Sequence, residues 1–316
     1  MRAPDFWQSR GVLATLLSPL GALYGASVAL KARLAKPYDP HMPVICIGNL
    51  TAGGSGKTPI AIAIANALRA RGRKPFFLTR GYGGSERGPA LVARAHSADL
   101  MGDEALLLVR AAPTIVARDR AAGARLAAEK SADVLVMDDG HQNFSLRKTL
   151  SLVVVDAQTG FGNGRMIPAG PLREPVVQGL ARADAVILVG DGDPDLCGYA
   201  GPVLRARLQA DAGALAGKSV FAFAGIGRPE KFIASLEAEG VEVTGSCFFD
   251  DHHPYTEDEI IQLKAIAGDT ILVTTEKDFV RLSVAQREGI RVVKAVSVFD
   301  EPAALEALLD RAVARV

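Results

Sequence analysis

The chain has 316 residues, 49% of them hydrophobic and 22% charged, with a formal net charge of +1. That length suits two domains of ordinary size, and the near-neutral balance removes any global electrostatic case for nucleic acid. The three cysteines, Cys46, Cys197 and Cys247, are widely spaced with no C-x-x-C pair, a usage that fits a reducing cytosolic compartment.

The first element is the compositional anomaly. Residues 11–30 contain no charged side chain; Arg2 and Arg10 precede the run, and Lys31, Arg33 and Lys36 follow it. A helix of this length spans roughly 30 Å, about the hydrocarbon thickness of a bilayer. A cleaved export signal conflicts with the loop that begins shortly afterwards, whose ligand belongs inside the cell. A spanning helix is weakened by Pro19 and Gly21 in its middle and by Thr15, Ser18, Tyr24 and Ser27. The pattern favours a helix, broken near Pro19, lying in the inner face of a membrane with its basic flanks at anionic headgroups. A helix packed on its own domain is the alternative.

Next comes an apolar strand over 44–47, holding Cys46 as a small buried hydrophobe, followed by Thr51-Ala52-Gly53-Gly54-Ser55-Gly56-Lys57-Thr58 and a helical pattern. Strand, glycine-rich loop and helix in that order form a phosphate-binding loop. Its glycines let successive N–H groups point at phosphate oxygens, Lys57 adds a mobile positive charge, and Thr58 offers a hydroxyl to Mg²⁺. The helix signals agree: Pro59 in the first turn, Ile60, Ile64, Ala67 and Leu68 on one face, and Gly72 just past the end. Thr51 stands where the common pattern has its first glycine. The ligand class is a nucleoside triphosphate.

Beyond the loop, strands are expected over 75–79, 114–117, 133–138, 151–156, 185–189, 219–224, 241–247, 270–274 and 291–295. Helices are expected over 103–111, 120–130, 229–239, 256–267, 277–284 and 302–313. Apolar strands separated by helices predict parallel sheets covered on both faces. The expected class is α/β, a P-loop NTPase-type sheet domain with a smaller C-terminal α/β domain. The stretch 191–202 reads as a linker, and 211–217 as the boundary. The division is 1–36 for the N-terminal helix, 37–212 for the P-loop domain and 213–316 for the smaller unit.

Val134-Leu135-Val136-Met137 runs into Asp138-Asp139, the strand end that usually accompanies such a loop and orients Mg²⁺ or its waters. Gly140-His141-Gln142 then occupies the ligand-bearing turn of an open sheet. Asp103 opens a helix, either as a cap or as a general base for an attacking hydroxyl. Arg80, Arg118 and Arg173 follow strands or a Gly/Pro-rich loop, where arginine can offset charge on a transferred phosphoryl group. Asp251-His252-His253-Pro254 lacks the further ligands a zinc site needs and reads better as a partner for a carboxylate.

Taken in order, GNLTAGGSGKTP, TRGYGG, GDEALLL, VLVMDDGHQ, GPLREP, FAGIGRPEKF, FFDDHHPY and VTTEKD resemble the tetraacyldisaccharide 4′-kinase family, over almost the full chain. The resemblance implies ATP- and Mg²⁺-dependent phosphorylation of the 4′-hydroxyl of a tetraacylated glucosamine disaccharide, a lipid A precursor. It also implies two α/β domains flanking a cleft, a site at the cytoplasmic face of the bacterial inner membrane, and no obligate protein partner. By the same resemblance, residues 51–58 hold nucleotide, and Thr58, Asp138 and Asp139 serve the metal. Asp103 is the base, His252 rather than His253 its partner, and Arg173 an active-site arginine. The competing class is a membrane-associated P-loop ATPase acting as a nucleotide-switched organiser, but Ala52 stands where those proteins carry a signature lysine.

Overall fold

The computed structural model describes residues 4–314, so Arg2 of the basic flank lies outside the described residues. Among these, twelve strands form one sheet. In chain order they are β1 (Val44–Gly48), β2 (Pro75–Thr79), β3 (Ala90–Leu91), β4 (Thr114–Val116), β5 (Val134–Asp138) and β6 (Leu150–Asp156). The series continues with β7 (Ala185–Val189), β8 (Val203–Asp211), β9 (Ser219–Ala224), β10 (Glu242–Phe248), β11 (Ile271–Thr275) and β12 (Ile290–Phe299). The α-helices are α1 (Val12–Leu34), α2 (Lys57–Ala70), α3 (Ala98–Met101), α4 (Asp103–Leu108) and α5 (Arg120–Glu129). Five more follow: α6 (Val176–Leu180), α7 (Pro229–Ala238), α8 (Glu257–Ala267), α9 (Glu276–Phe279) and α10 (Pro302–Val313).

The sheet order is β10-β9-β11-β12-β8-β7-β6-β1-β5-β2-β4-β3. Every pairing is parallel except β3 with β4 and β12 with β8. β1, β2, β5, β6 and β7 are buried along their whole length, as sheets covered on both faces require. β12 is the hinge of the topology. Leu272–Thr275 pair with its first half and Ala206–Asp211 with its second, so two parallel sets join through one antiparallel ribbon.

Ile60, Ile64 and Leu68 bring α2 onto β1, β2 and β5, each side chain contributing ~1.5–3 kcal/mol by burial. Leu305, Leu308 and Leu309 of α10 join that same cluster, so the end of the chain returns to the N-terminal core. A separate cluster of Val220, Ala222, Phe232, Leu236 and Val273 packs α7 on β9 and β11.

Four expectations need correction. α1 runs unbroken through Pro19, because the Thr15 carbonyl that loses its donor belongs to an exposed residue, where water can satisfy it. The helix expected to reach 111 ends at Leu108, tightening into i−3 bonds from Arg110 and Ala111. The helix expected over 277–284 is the single turn α9, capped by the Thr275 hydroxyl and followed by i−3 bonds at Arg281 and Leu282. β8 was not anticipated, because Arg205 and Arg207 mask the alternation of Leu204, Ala206, Leu208 and Ala210.

Candidate active site

The carboxyl ends of β1, β5 and β6 lie side by side, and the glycine-rich loop leaves β1 between the other two. Gly56 caps α2 with φ +81°, a conformation that glycine adopts without strain and that turns the loop into the helix. Space is open around Gly53 and Gly54, where a ligand's phosphates need backbone access. The Asn49 side-chain amide donates to the Ser55 hydroxyl at 3.1 Å, holding the loop's two ends together.

Thr58 donates its hydroxyl to Asp138 Oδ2 at 3.0 Å, while Asp138 Oδ1 is buried with no partner among the described residues. Burial raises the Asp138 carboxyl well above the usual carboxylate range, and the charge of Glu104 adds to the rise. Burial would raise Asp139 too, but Lys57 and Arg173 hold it down at about 2. Lys57 Nζ lies 3.7 Å from Asp139 Oδ1 and Arg173 Nη1 donates to the same oxygen at 2.7 Å. Asp139 sits at φ +53°, a region non-glycine residues rarely occupy.

An orphaned carboxylate oxygen beside a threonine hydroxyl and a second carboxylate is a hard-oxygen donor set of the kind Mg²⁺ takes. No cluster of three or more His, Cys, Asp or Glu side chains with metal-ligand placement occurs among the described residues. Mg²⁺ needs none, since it keeps waters and bonds to phosphate oxygens.

The GPLREP segment runs beside the loop. Ala52 N–H donates to the Pro171 carbonyl at 2.7 Å and Arg173 N–H to the Leu50 carbonyl at 2.8 Å. Gln142 donates to the Asn49 carbonyl at 2.8 Å and to Glu174 at 2.9 Å, and Arg182 closes on Glu174 at 2.6 Å. His141 is fully buried and donates from Nε2 to the Gly179 carbonyl at 2.9 Å. Burial drives it down to about 3, so it is a neutral strut rather than a proton carrier.

A second group gathers at the start of α4. Gly102, at φ +85°, gives α4 its start; a Cβ there would meet the Tyr82 carbonyl at 2.3 Å. The TRGYGG turn therefore supports the backbone that presents Asp103. Asp103 Oδ2 accepts from His252 Nδ1 at 2.8 Å and from Arg281 Nε at 2.7 Å, while Oδ1 accepts no hydrogen bond among the described residues. Burial opposes ionisation of Asp103, but those two partners win and its pKa falls below the ordinary value. On the far side of the ring, His252 Nε2 lies 3.4 Å from Lys277 Nζ and 3.8 Å from Asp251 Oδ2. His252 itself holds φ +64°, a second strained backbone at the cleft. His253 turns away, bonded to Glu259 at 3.0 Å and stacked on Phe249.

Arg281 escaped the sequence reading, and Lys277 and Asp278 stood there only as part of the VTTEKD motif, with no task assigned. Asp278, fully buried, accepts from Arg281 Nη1 at 3.0 Å, Tyr255 OH at 2.9 Å and Gly225 N–H at 2.9 Å. The VTTEKD motif was the available signal, and its task is to aim Arg281 and Lys277 at Asp103 and His252. Arg80 and Arg118 are exposed and join neither group.

The N-terminal segment is moored to the loop after β6. Trp7 donates to the Pro168 carbonyl at 3.0 Å, and Asn163 donates to the carbonyls of Phe6, Ser9 and Ala169. Ala14, Gly21 and Gly25 are the buried positions of α1, whereas Val12, Leu16, Leu23 and Leu34 are 79, 71, 69 and 71% exposed. By length and composition α1 could cross a membrane. A groove of about 1180 Å³ lies between α1 and the 157–178 loop, lined by Gly21, Phe161, Met166, Leu172 and Val176 among others.

A family model described as tetraacyldisaccharide-1-P 4′-kinase matches residues 13–314. The tetraacyldisaccharide 4′-kinase of Paramagnetospirillum magneticum is 50% identical over 320 residues, covering 98% of each chain. That of Rhodospirillum rubrum is 51% identical over 325 residues, again with 98% of each covered. A crystal structure of LpxK from Aquifex aeolicus in complex with ATP aligns with a TM-score of 0.79 at 26% identity. The alignment covers 96% of this chain and 100% of that one.

Proposed function

The chain belongs to the tetraacyldisaccharide-1-P 4′-kinase family, and from that membership we propose how its residues divide the work. It is a kinase that transfers phosphate from ATP to the 4′-position of a tetraacylated disaccharide 1-phosphate, a step in lipid A synthesis.

Residues 51–58 cradle the triphosphate, with backbone N–H groups on its oxygens and Lys57 as a mobile counter-charge. Thr58, Asp138 and Asp139 hold Mg²⁺; the orphaned Asp138 Oδ1 supports that assignment. When bound, the ion supplies charge neutralisation on the transferring phosphates. Arg173 trades Asp139 for negative charge that spreads during transfer.

A sugar hydroxyl is a weak nucleophile, so its proton must have a destination as the new bond forms. Asp103 Oδ1 takes that proton while the 4′-oxygen bonds to the γ-phosphorus, the bond to the β-phosphate breaks, and ADP leaves with the electron pair. His252 and Arg281 occupy Oδ2 and keep the carboxylate ionised and aimed. The single observation that carries this assignment is the Asp103 carboxylate itself: Oδ2 is held by His252 at 2.8 Å and Arg281 at 2.7 Å, while Oδ1 accepts no hydrogen bond among the described residues. Residues 37–212 and 213–316 are the two lobes, joined through β8 and β12, and their contact at Asp103 and His252 brings the base and its partner together.

The acyl chains explain the N-terminus. Lifting such a substrate out of a bilayer costs ~0.8 kcal/mol per CH₂, so the enzyme must come to it. The exposed leucines of α1 lie in the cytoplasmic leaflet of the inner membrane, with Lys31, Arg33 and Lys36 at its headgroups. The groove beside α1 supports contact with acyl chains close to Arg173.

The test is incubation of the protein with Mg-ATP and tetraacyldisaccharide 1-phosphate, followed by analysis of the lipid for added phosphate. Transfer to lipid is the expected outcome. ATP hydrolysis indifferent to lipid but stimulated by a protein partner would overturn the reading in favour of the organiser class.

A further inference from the structure

The FAGIGRPEKF motif has no part in the chemistry above, yet it reaches the phosphate loop. β9 ends at Ala224, the chain turns through Gly225 and Gly227, and Arg228 stands at the start of α7. Its side chain caps nothing in its own helix. It crosses the cleft instead, where Nη2 donates to the Gly54 carbonyl at 3.3 Å and to Asp156 Oδ2. Lys231, one turn into α7, places Nζ 3.8 Å from the same Asp156 oxygen.

Asp156 is built to receive them. It ends β6, next to β1, and its Oδ1 accepts from Gln158 N–H at 3.1 Å and Thr159 N–H at 3.0 Å. That fixes the carboxylate and leaves Oδ2 facing the cleft. The Arg228 side chain is 35% exposed, so it can leave this oxygen without opening a core. Its guanidinium already touches the backbone of Gly54, in the part of the loop where space is open.

We propose that Arg228 is a nucleotide ligand supplied by the second lobe: the guanidinium that Asp156 Oδ2 holds beside the Gly54 carbonyl exchanges that carboxylate for the phosphates of ATP bound in the loop. The inference rests on residues 51–58 binding ATP, as argued above. Its physical basis is competition between two anions for one guanidinium. A triphosphate offers more charge and a bidentate set of oxygens, so it outcompetes a single carboxylate oxygen. Pairing with Asp156 lowers apparent ATP affinity by the fraction of molecules in which Arg228 is free. Asp156 is then a competitor for the arginine, not part of the nucleotide site, and Arg228 ties nucleotide in the loop to the lobe bearing His252 and Arg281.

Two substitutions separate this from a simple latch between lobes. Binding of a non-hydrolysable ATP analogue with Mg²⁺ is measured by calorimetry on the full chain in detergent. Arg228→Gln should weaken binding about tenfold, and Arg228→Lys should recover part of the loss. Asp156→Asn, which frees the arginine while keeping an acceptor for the 158–159 turn, should bind at least as tightly as the parent, up to about threefold better. A latch predicts the opposite sign for Asp156→Asn: both variants weaken binding alike, and the double variant is no worse than either. That outcome, or parent affinity in Arg228→Gln, overturns the inference. Lys57→Ala measured alongside reports on the loop itself. If it loses binding while Arg228→Gln does not, the Arg228 inference alone fails. If both bind as the parent does, the nucleotide site and the inference fail together.

Discussion

Asp103→Asn tests the cleft most finely, because it removes one charge and almost no volume. In the parent, Oδ2 accepts hydrogen bonds from His252 at 2.8 Å and from Arg281 at 2.7 Å, and the side chain is 11% exposed. Hydrogen bonds to a charged group contribute ~1.5–3 kcal/mol, and Arg281 keeps Asp278 as a partner, so the net loss is ~2–4 kcal/mol at neutral pH. The sign with pH follows from the depressed pKa of Asp103. A group held below its unfolded value of ~3.9 stabilises the fold fully above that value and loses the contribution as pH falls through the folded value. Urea unfolding of parent and variant should therefore differ at pH 7 and converge below ~3.9. Turnover should fall ~10²–10⁴-fold, the usual share of a general base, with ATP affinity unchanged. A stability gap independent of pH would refute the ionic account of this pair. Turnover close to the parent's would remove Asp103 from the chemistry.

His252→Ala should lower kcat strongly, whereas His253→Ala should cost only the Glu259 contact and the Phe249 stack, visible as a small fall in Tm. Thr58→Val deletes the hydroxyl on Asp138 and should raise the Mg²⁺ concentration needed for half-maximal rate, read from a Mg²⁺ titration at saturating ATP. Chelation should abolish transfer, and added Mg²⁺ should restore it. Leu16→Asp with Leu23→Asp places two charges on the exposed face of α1. That variant should fail to pellet with anionic vesicles yet unfold at the parent's urea concentration, because neither side chain belongs to a core.

What was legible in the sequence is what lies close together along the chain. The phosphate loop, its strand and its helix occupy one contiguous stretch, and the apolar run into Asp138-Asp139 announces a strand end by composition. Order along the chain could not say that β1 sits between β5 and β6, but parallel neighbours of a phosphate loop are a small set. Asp103 was readable as a residue and ambiguous as a role, because capping and catalysis use the same side chain at a helix start. Its meeting with Arg281 spans 178 residues and passes through a buried Asp278, the end of a VTTEKD motif that does not say what it holds. The adjacent His252 and His253 differ only in backbone conformation: a positive φ at His252 turns one ring into the cleft. α10 shows a regular amphipathic pattern, but periodicity does not name the sheet on which its leucines land.

The central claim is that backbone N–H groups at the start of α2, together with Lys57, hold the triphosphate that Asp103 directs onto a lipid hydroxyl. The most direct measurement is ³²P transfer from labelled ATP to tetraacyldisaccharide 1-phosphate by the parent and by Lys57→Ala, with the labelled position determined on the product. The account predicts label at the 4′-oxygen with the parent and almost none with the variant. Equal transfer by the two proteins, or label at another position, would contradict it.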